Sequence, residues 1–566
     1  MIAASANKIS RSPDRLISLL LLPVALIALG PMLRLLGEGF GIGSELTLVH
    51  ATEVLGRPNT LTALQHSLIT AGAGTLLSII IASAFAFMVA LTDIRAKAAL
   101  VFCLMIPMMI PPQITALAWM QATGPSSVLL KTLGIAPPLG SPQPLHSAWG
   151  ISLLLGIQHA SIIFLILRAG LRMIPGDLVE AARISGARSW RVWAQIVLPL
   201  SLPSLAAGAA MTFVTALGNF GIPAMLGIPA RYSTLPTLIY QRLVGMGQSV
   251  LAEVAVLALL IGVVAIAGVL AGRLFLRRRA YGLVGLASQP LVLSLGRKRP
   301  LVEIILWSFI FLTLVVPLLA LVSTSLIPAY GVPLTPDTAT LKAWVEVLFN
   351  QPVTRRAYAN SLLLATSAAV ILMGVSVPLA WLMNRRPTRL TRAIDALVDL
   401  PYALPGVVLA ISCILAFMRL PFGITLYGTL TIILLAYLSR FLVVMLRPVQ
   451  AAIGQLDPAM EEAAASSGAR LGRRLFDIVL PLSAPAAAAG AILVFLTAVN
   501  ELTVSALLWT GGTETLGVVI FNLEDSGDTV MASALATSIV AVVIALMAIV
   551  QLSASRLPKG TVPWQG

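Results

Sequence analysis

Charge is scarce in this chain: Asp, Glu, Lys and Arg make up 10% of its 566 residues, where soluble domains carry about 25%. With 58% hydrophobic residues and a mean hydropathy of +0.96, a soluble globular fold is excluded. Cysteine is almost absent. Cys103 and Cys413 both sit inside apolar runs, which argues against a disulfide framework or cysteine metal cluster and leaves packing as their role. Histidine is also sparse, with four in the chain: His66, His146 and His159 are scattered without ligand spacing, so they read as structural and fix no metal site. The sequence has no G-x-x-x-x-G-K-[ST] phosphate loop, so nucleotide hydrolysis of that class has no site here. No polar stretch is long enough to form a separate soluble domain.

What fills the chain instead is apolar sequence in runs of membrane-crossing length. A hydrocarbon core of about 30 Å needs roughly 20 apolar residues as a helix, which satisfies its own backbone hydrogen bonds. About twelve such runs are expected, at 16–36, 62–91, 99–121, 148–168, 203–226 and 250–275, then 302–327, 358–383, 397–418, 427–447, 483–509 and 531–553. No small-residue cleavage site follows the first run, so it is expected to be a transmembrane helix, not a signal peptide. The net charge of +15 marks loop orientation rather than a nucleic-acid partner. With both termini inside, about 27 of the 37 basic residues, Lys8, Arg11, Arg15, Arg556 and Lys559 among them, fall on the cytoplasmic side. The expected fold is all-α and polytopic, in a bacterial cytoplasmic (inner) membrane.

The chain repeats itself. "EAARISGARSWRVWAQIVLPLSLP" from Glu180 and "EAAASSGARLGRRLFDIVLPLSAP" from Glu462 share about 15 of 24 positions. The likeness continues downstream, where "FVTALGNFGIPAMLG" from Phe213 overlays "FLTAVNELTVSALLW" from Phe495. Upstream, "IPMMIPPQI" from Ile106 overlays "LPYALPGVV" from Leu400. The expected organisation is a first half at 1–275, a basic cytoplasmic linker at 276–301 and a second half at 302–566. Six spans per half run both halves in the same direction, a parallel repeat about an axis along the membrane normal, with a route between the bundles.

Each copy of the polar segment, 176–200 and 457–482, reads as a helix, a turn at Gly186 or Gly468, and a second helix that Pro199 or Pro481 stops. Asp457 before Pro458 reads as an N-cap. A short polar helix of this kind needs a protein partner. The pattern Glu-Ala-Ala, three residues, Gly, nine residues, Ile-x-Leu-Pro, intact in both copies, resembles the EAA loop of permease subunits of type I ABC importers. The resemblance covers nearly the whole chain. It implies that Glu180, Ala181, Ala182 and Gly186, and again Glu462, Ala463, Ala464 and Gly468, form coupling helices docking in clefts of two copies of an ABC ATPase. It also implies a separate extracytoplasmic solute-binding protein. ATP and Mg would be used by the partner ATPase, with no cofactor and no catalytic residue on this chain.

The stretches "GNFGIPAMLGIPARYSTLPTLIY" from Gly218 and "NELTVSALLWTGGTETLGVVIFNL" from Asn500 are similar to ferric iron-type permeases, with thiamine, polyamine and phosphonate importers as alternatives. Glu501, an ionisable group at the fifth span of the second half, is a pathway candidate together with its neighbour Asn500 and its aligned counterpart Asn219. Its carboxylate either offers oxygen to a hard cation such as ferric ion or pairs with a neighbouring helix. Arg440 is expected to snorkel or to pair. The prolines at 107, 111, 401 and 405 kink the third span of each half and shape a cavity wall. A secondary transporter is the alternative from another class, and proton or sodium dependence without ATP would mark it.

Overall fold

Proline and glycine punctuate the same sequence of helices twice. The computed structural model describes residues 21–39, 48–138, 140–245, 250–277, 293–418, 420 and 423–553. Leaving short turns unlabelled, the first half comprises α1 (Leu21–Gly39), α2 (Pro58–Leu91), α3 (Lys97–Met109), α4 (Pro112–Thr123), α5 (Ala148–Arg172), α6 (Gly176–Ile184), α7 (Leu198–Leu217), α8 (Leu235–Val244) and α9 (Val250–Arg277). The second comprises α10 (Arg299–Ile310), α11 (Val316–Ser325), α12 (Pro352–Arg385), α13 (Arg389–Leu397), α14 (Gly406–Phe417), α15 (Leu430–Gln455), α16 (Pro458–Ser466), α17 (Leu480–Val499), α18 (Leu516–Asp525) and α19 (Thr529–Ser553). Among the described residues ten helical stretches are long and apolar enough to cross a membrane, or twelve when each of two bent pairs is taken as one span. The chain is an all-α, multi-pass membrane protein of two repeated halves.

The bent pairs change the expected third spans. Where a proline-kinked helix was expected, Lys97–Met109 meets Pro112–Thr132 at 104°, and Arg389–Tyr402 meets Gly406–Phe417 at 110°. Each break has the same cause. A residue before proline is pushed out of the helical region, and Ile110 and Leu404 are extended, with ψ of 133° and 147°. Pro111 and Pro405 then lack the N–H that would carry the helix on. The following helix starts afresh in a new direction.

A second expectation also changes. Pro199 and Pro481 do not end their helices, because a π-helical turn (Trp193–Val197 and Leu475–Val479) leads directly into α7 and α17. A widened turn tolerates the missing proline N–H without a stop. The fifth spans instead end at Leu217 and Val499, ahead of the expected 226 and 509. Most of the linker expected at 276–301, and the basic residues at both chain ends, lie outside the described residues. From Leu293 onward the chain is tied back to the first half: its N–H donates to the Leu91 carbonyl at 2.6 Å, and the Leu295 N–H donates to Asp93 at 2.9 Å.

Within each half the long helix packs on the fourth and fifth spans, α2 on α5 and α7, α12 on α15 and α17. The first helices cross over. α1 packs on α14 and α15 of the second half, and α11 packs on α4 of the first. This exchange interlocks the halves around the two breaks. α2 and α12 have 34 residues each, about 50 Å of helix, so their ends project beyond a hydrocarbon core of about 30 Å.

Candidate functional site

The two polar segments fold alike. α6 and α16 each run nine residues and stop at a glycine in the left-handed region, Gly186 at φ +82° and Gly468 at φ +83°. The N–H groups of Gly186 and Ala187 donate to the carbonyls of Arg183 and Ala182, and those of Gly468 and Ala469 to Ala465 and Ala464. These bonds satisfy the last-turn carbonyls. Asp457 caps α16 by accepting from the Ala459 N–H at 2.9 Å, with Pro458 at the first helical position. Glu180, Ala181 and Gly186 are exposed, as are Glu462, Ala463 and Gly468, while Ala182 and Ala464 are half-buried. Apolar side chains on these helices stand exposed, Ile184 of α6 at 88% and Met460 of α16 at 44%. A helix presenting both its motif and bare apolar groups has a surface for a protein partner.

The inner faces of these helices differ. Glu461 of α16 is buried, accepting from Arg385 Nε at 2.9 Å and from Trp381 Nε1 at 2.6 Å, while Arg385 also donates to the Leu456 carbonyl. The same register in α6 is held by Val179, fully buried in an apolar contact. Sequence reasoning passed over Glu461, since a glutamate beside Glu462 on a polar helix carries no sign of which one turns inward.

The pathway candidates converge. Asn219, Asn500 and Glu501 line one cavity of about 330 Å³ between the halves, with Pro111, Pro112 and Pro405 of the two breaks, Gln158 and His159 of α5, and Arg440 of α15. Asn219 and Glu501 do the same local work at equivalent helix breaks: the Asn219 side chain accepts from the Ile222 N–H at 3.1 Å and Glu501 from the Val504 N–H at 2.9 Å. Glu501 Oε2 also faces Arg440 Nε at 3.7 Å. Arg440 therefore pairs and does not snorkel. Asn500 crosses between halves, donating to the Met109 carbonyl at 2.6 Å.

The same shift of 282 that aligns the polar segments sets Arg440 opposite Gln158. Gln158 donates to the carbonyls of Pro107 and Ile110 and accepts from Thr115, so its amide takes up carbonyls freed by the first break. At the second break the guanidinium of Arg440 occupies the space above Gly406, where a Cβ would stand 2.6 Å from its NH1. Among the described residues no group of three or more His, Cys, Asp or Glu side chains could hold a metal ion. His66 stacks on Tyr232 at 3.6 Å between ring centroids and bonds the Ser233 carbonyl, a structural role.

Comparison with known proteins gives a family match over most of the chain. The model for the binding-protein-dependent transport system inner membrane component family matches twice, at residues 74–280 and 376–561. A probable ABC transporter permease protein of Sinorhizobium fredii is 29% identical over 449 residues, covering 78% of each chain. A putative ferric transport system permease protein of Haemophilus influenzae is 27% identical, covering 71% of this chain and 63% of that one. A ferric transport system permease protein of Actinobacillus pleuropneumoniae is 24% identical, covering 91% of this chain and 75% of that one.

Proposed function

The chain belongs to the family of binding-protein-dependent transport system inner membrane components, and on that premise we propose that it alone supplies both halves of the membrane pathway of an ABC importer. The observation that carries this reading is the single cavity where the breaks of the two halves meet, with Asn219 and Glu501 at equivalent positions in its wall. In this reading α6 and α16 are the coupling helices. Six crossings separate them in chain order, an even number, so both lie on one face, the cytoplasmic face by the distribution of basic residues. Each docks on one copy of a separate ATPase, which binds ATP and Mg. Closure of the ATPases moves the halves as rigid bodies and exposes the cavity to alternate sides. The basic residues of the N- and C-terminal segments, counted from the sequence, support a cytoplasmic location for both termini.

The solute in this reading is ferric iron delivered by an extracytoplasmic binding protein, supported by the names of the Haemophilus and Actinobacillus relatives. Thiamine, polyamines and phosphonates are the competing solutes within the same architecture. The test is uptake by liposomes that hold the full chain, its ATPase and its binding protein. Uptake should require ATP on the ATPase side and both partners. Uptake driven by a proton or sodium gradient without the ATPase would place the chain among secondary transporters instead.

A further inference from the structure

The lining of the central cavity has an unequal stock of hydrogen-bonding groups. The carbonyls freed at the breaks are taken up, Asn500 donating to that of Met109 and Gln158 to those of Pro107 and Ile110, while Glu501 accepts from Val504 through Oε1 and faces Arg440 through Oε2. The lining's charged donor is only loosely paired. Arg440 NH1 is buried without a hydrogen-bond partner in the chain, and only Nε is turned to Glu501, at 3.7 Å, beyond hydrogen-bonding distance. α4 and α14, of twelve residues each, both begin at the cavity wall, at Pro112 and Gly406. Their positive dipole ends therefore face the space.

Gln113, on the first turn of α4, marks the same place. It is fully buried, lines the cavity, and neither Oε1 nor Nε2 has a partner in the chain. Glycines from both halves make room for its amide. A Cβ at Gly221 would stand 3.2 Å from Oε1, and one at Gly517 3.0 Å from Nε2. The buried acceptors of the lining that lack a partner, Gln113 Oε1 and Asn500 Oδ1, are neutral amide oxygens. The charged groups of the lining are thus one loosely paired guanidinium and carboxylate, and the guanidinium keeps a donor to spare.

We propose that the solute is held in this cavity through an anionic oxygen group, with Arg440 as its charge partner and Gln113 as a second donor. A carboxylate or phosphate group and a ferric ion inside an anionic oxygen shell share this chemistry. Glu501 is the resting counter-ion: it faces Arg440 while the cavity is free of solute and gives it up when the anion enters. This inference rests on the cavity's being the import route. It excludes a bare cation bound by Glu501.

The test is calorimetric titration of the full chain with its ATPase in lipid nanodiscs, using inorganic phosphate, citrate, ferric citrate, spermidine and thiamine as probes. At least one anion should bind, and the cations should not. Arg440→Gln should weaken anion binding about tenfold or more, the effect of losing a charge-assisted hydrogen bond, and Glu501→Gln should strengthen it. Ferric citrate binding without citrate binding selects the metal complex, and equal binding of both selects the organic anion. The neutral pair Arg440→Gln with Glu501→Gln, unfolding at the wild-type temperature yet failing to bind, separates lost binding from lost folding. Binding of spermidine or thiamine in a Glu501-dependent manner, undiminished anion binding in Arg440→Gln, or no binding of any anion overturns the proposal. The route itself is checked separately by ATP-dependent uptake from the loaded binding protein: its absence in the wild type fails the import reading, and its retention in Arg440→Gln fails only the anion.

Discussion

α6 and α16 share the Glu-Ala-Ala motif, their length and the left-handed glycine that stops them, yet they are fastened to the membrane helices by different forces. α6 rests on Val179 in an apolar contact, while α16 is held by a buried carboxylate that Arg385 and Trp381 of α12 grip directly. Arg385 is the last residue of a 34-residue helix, so the link runs from α16 straight into a span. Apolar contacts are non-directional and let neighbours slide, whereas a charged pair with an indole donor fixes both distance and angle. The outward surfaces are alike, and the inward fastenings differ.

The largest effect should come from breaking the fastening of α16. Arg385→Ala leaves Glu461 buried without its charge partner, a loss of about 3–5 kcal/mol. Val179→Ala removes two buried methyl groups' worth of contact, about 2 kcal/mol. Thermal unfolding of the purified chain in lipid compares them, and equal losses would erase the distinction. Replacing Arg385 and Glu461 together by Leu should restore most of the stability, since apolar replacements of buried pairs are often neutral. If ATP-coupled uptake stayed low in that stable double variant, the ionic grip would be a transmission element.

A smaller and symmetrical effect is expected at the turns. Gly186→Ala and Gly468→Ala meet open space but impose a side chain at positive φ, costing about 1–2 kcal/mol each. Because the geometry is the same, the two losses should match, in contrast with the unequal pair above. Binding of the ATPase to each variant, measured by co-purification, would show unequal docking if the outward faces differ after all.

The smallest effect concerns the opposite ends of α2 and α12. In the first half His66 stacks on Tyr232, and in the second the aligned Asn360 donates to the carbonyls of Gly512 and Glu514, with Arg356 and Glu514 at 3.4 Å. Burial would raise the Glu514 carboxyl, but the N–H groups of Gly512 and Glu514 itself, with Arg356, hold it below the usual carboxylate range. A depressed value stabilises the folded state above the ordinary carboxylate range, and that contribution is lost as pH falls through the depressed value. The second-half loop should therefore loosen in acid, and Glu514→Gln should remove the dependence. Distances between spin labels on α12 and the 509–515 loop, followed against pH, check both.

Much of this architecture was legible in the sequence because its signals are local. Apolar length marks a span wherever it occurs, and Glu-Ala-Ala with Gly186 or Gly468 specifies a helix and its left-handed stop within a dozen residues. Pro111 and Pro405 announced a disturbance in the third spans, but whether a proline kinks or breaks depends on what receives the freed carbonyls. Gln158 does so for the first break from another helix. Pro199 and Pro481 erred the other way, read as stops where a widened turn carried the helix through.

The sequence by itself determined that the chain is a membrane protein, that it is built twice over, and which two polar segments turn at a left-handed glycine. Each follows from hydrophobic periodicity, repetition or turn chemistry, which act over a few residues. Only the tertiary structure decided that Glu501 faces Arg440, that Glu461 turns inward while Glu462 turns out, and that the breaks of both halves meet at one cavity. Those outcomes depend on which helices touch, and the packing of an interlocked bundle sets the charge of the space at its centre.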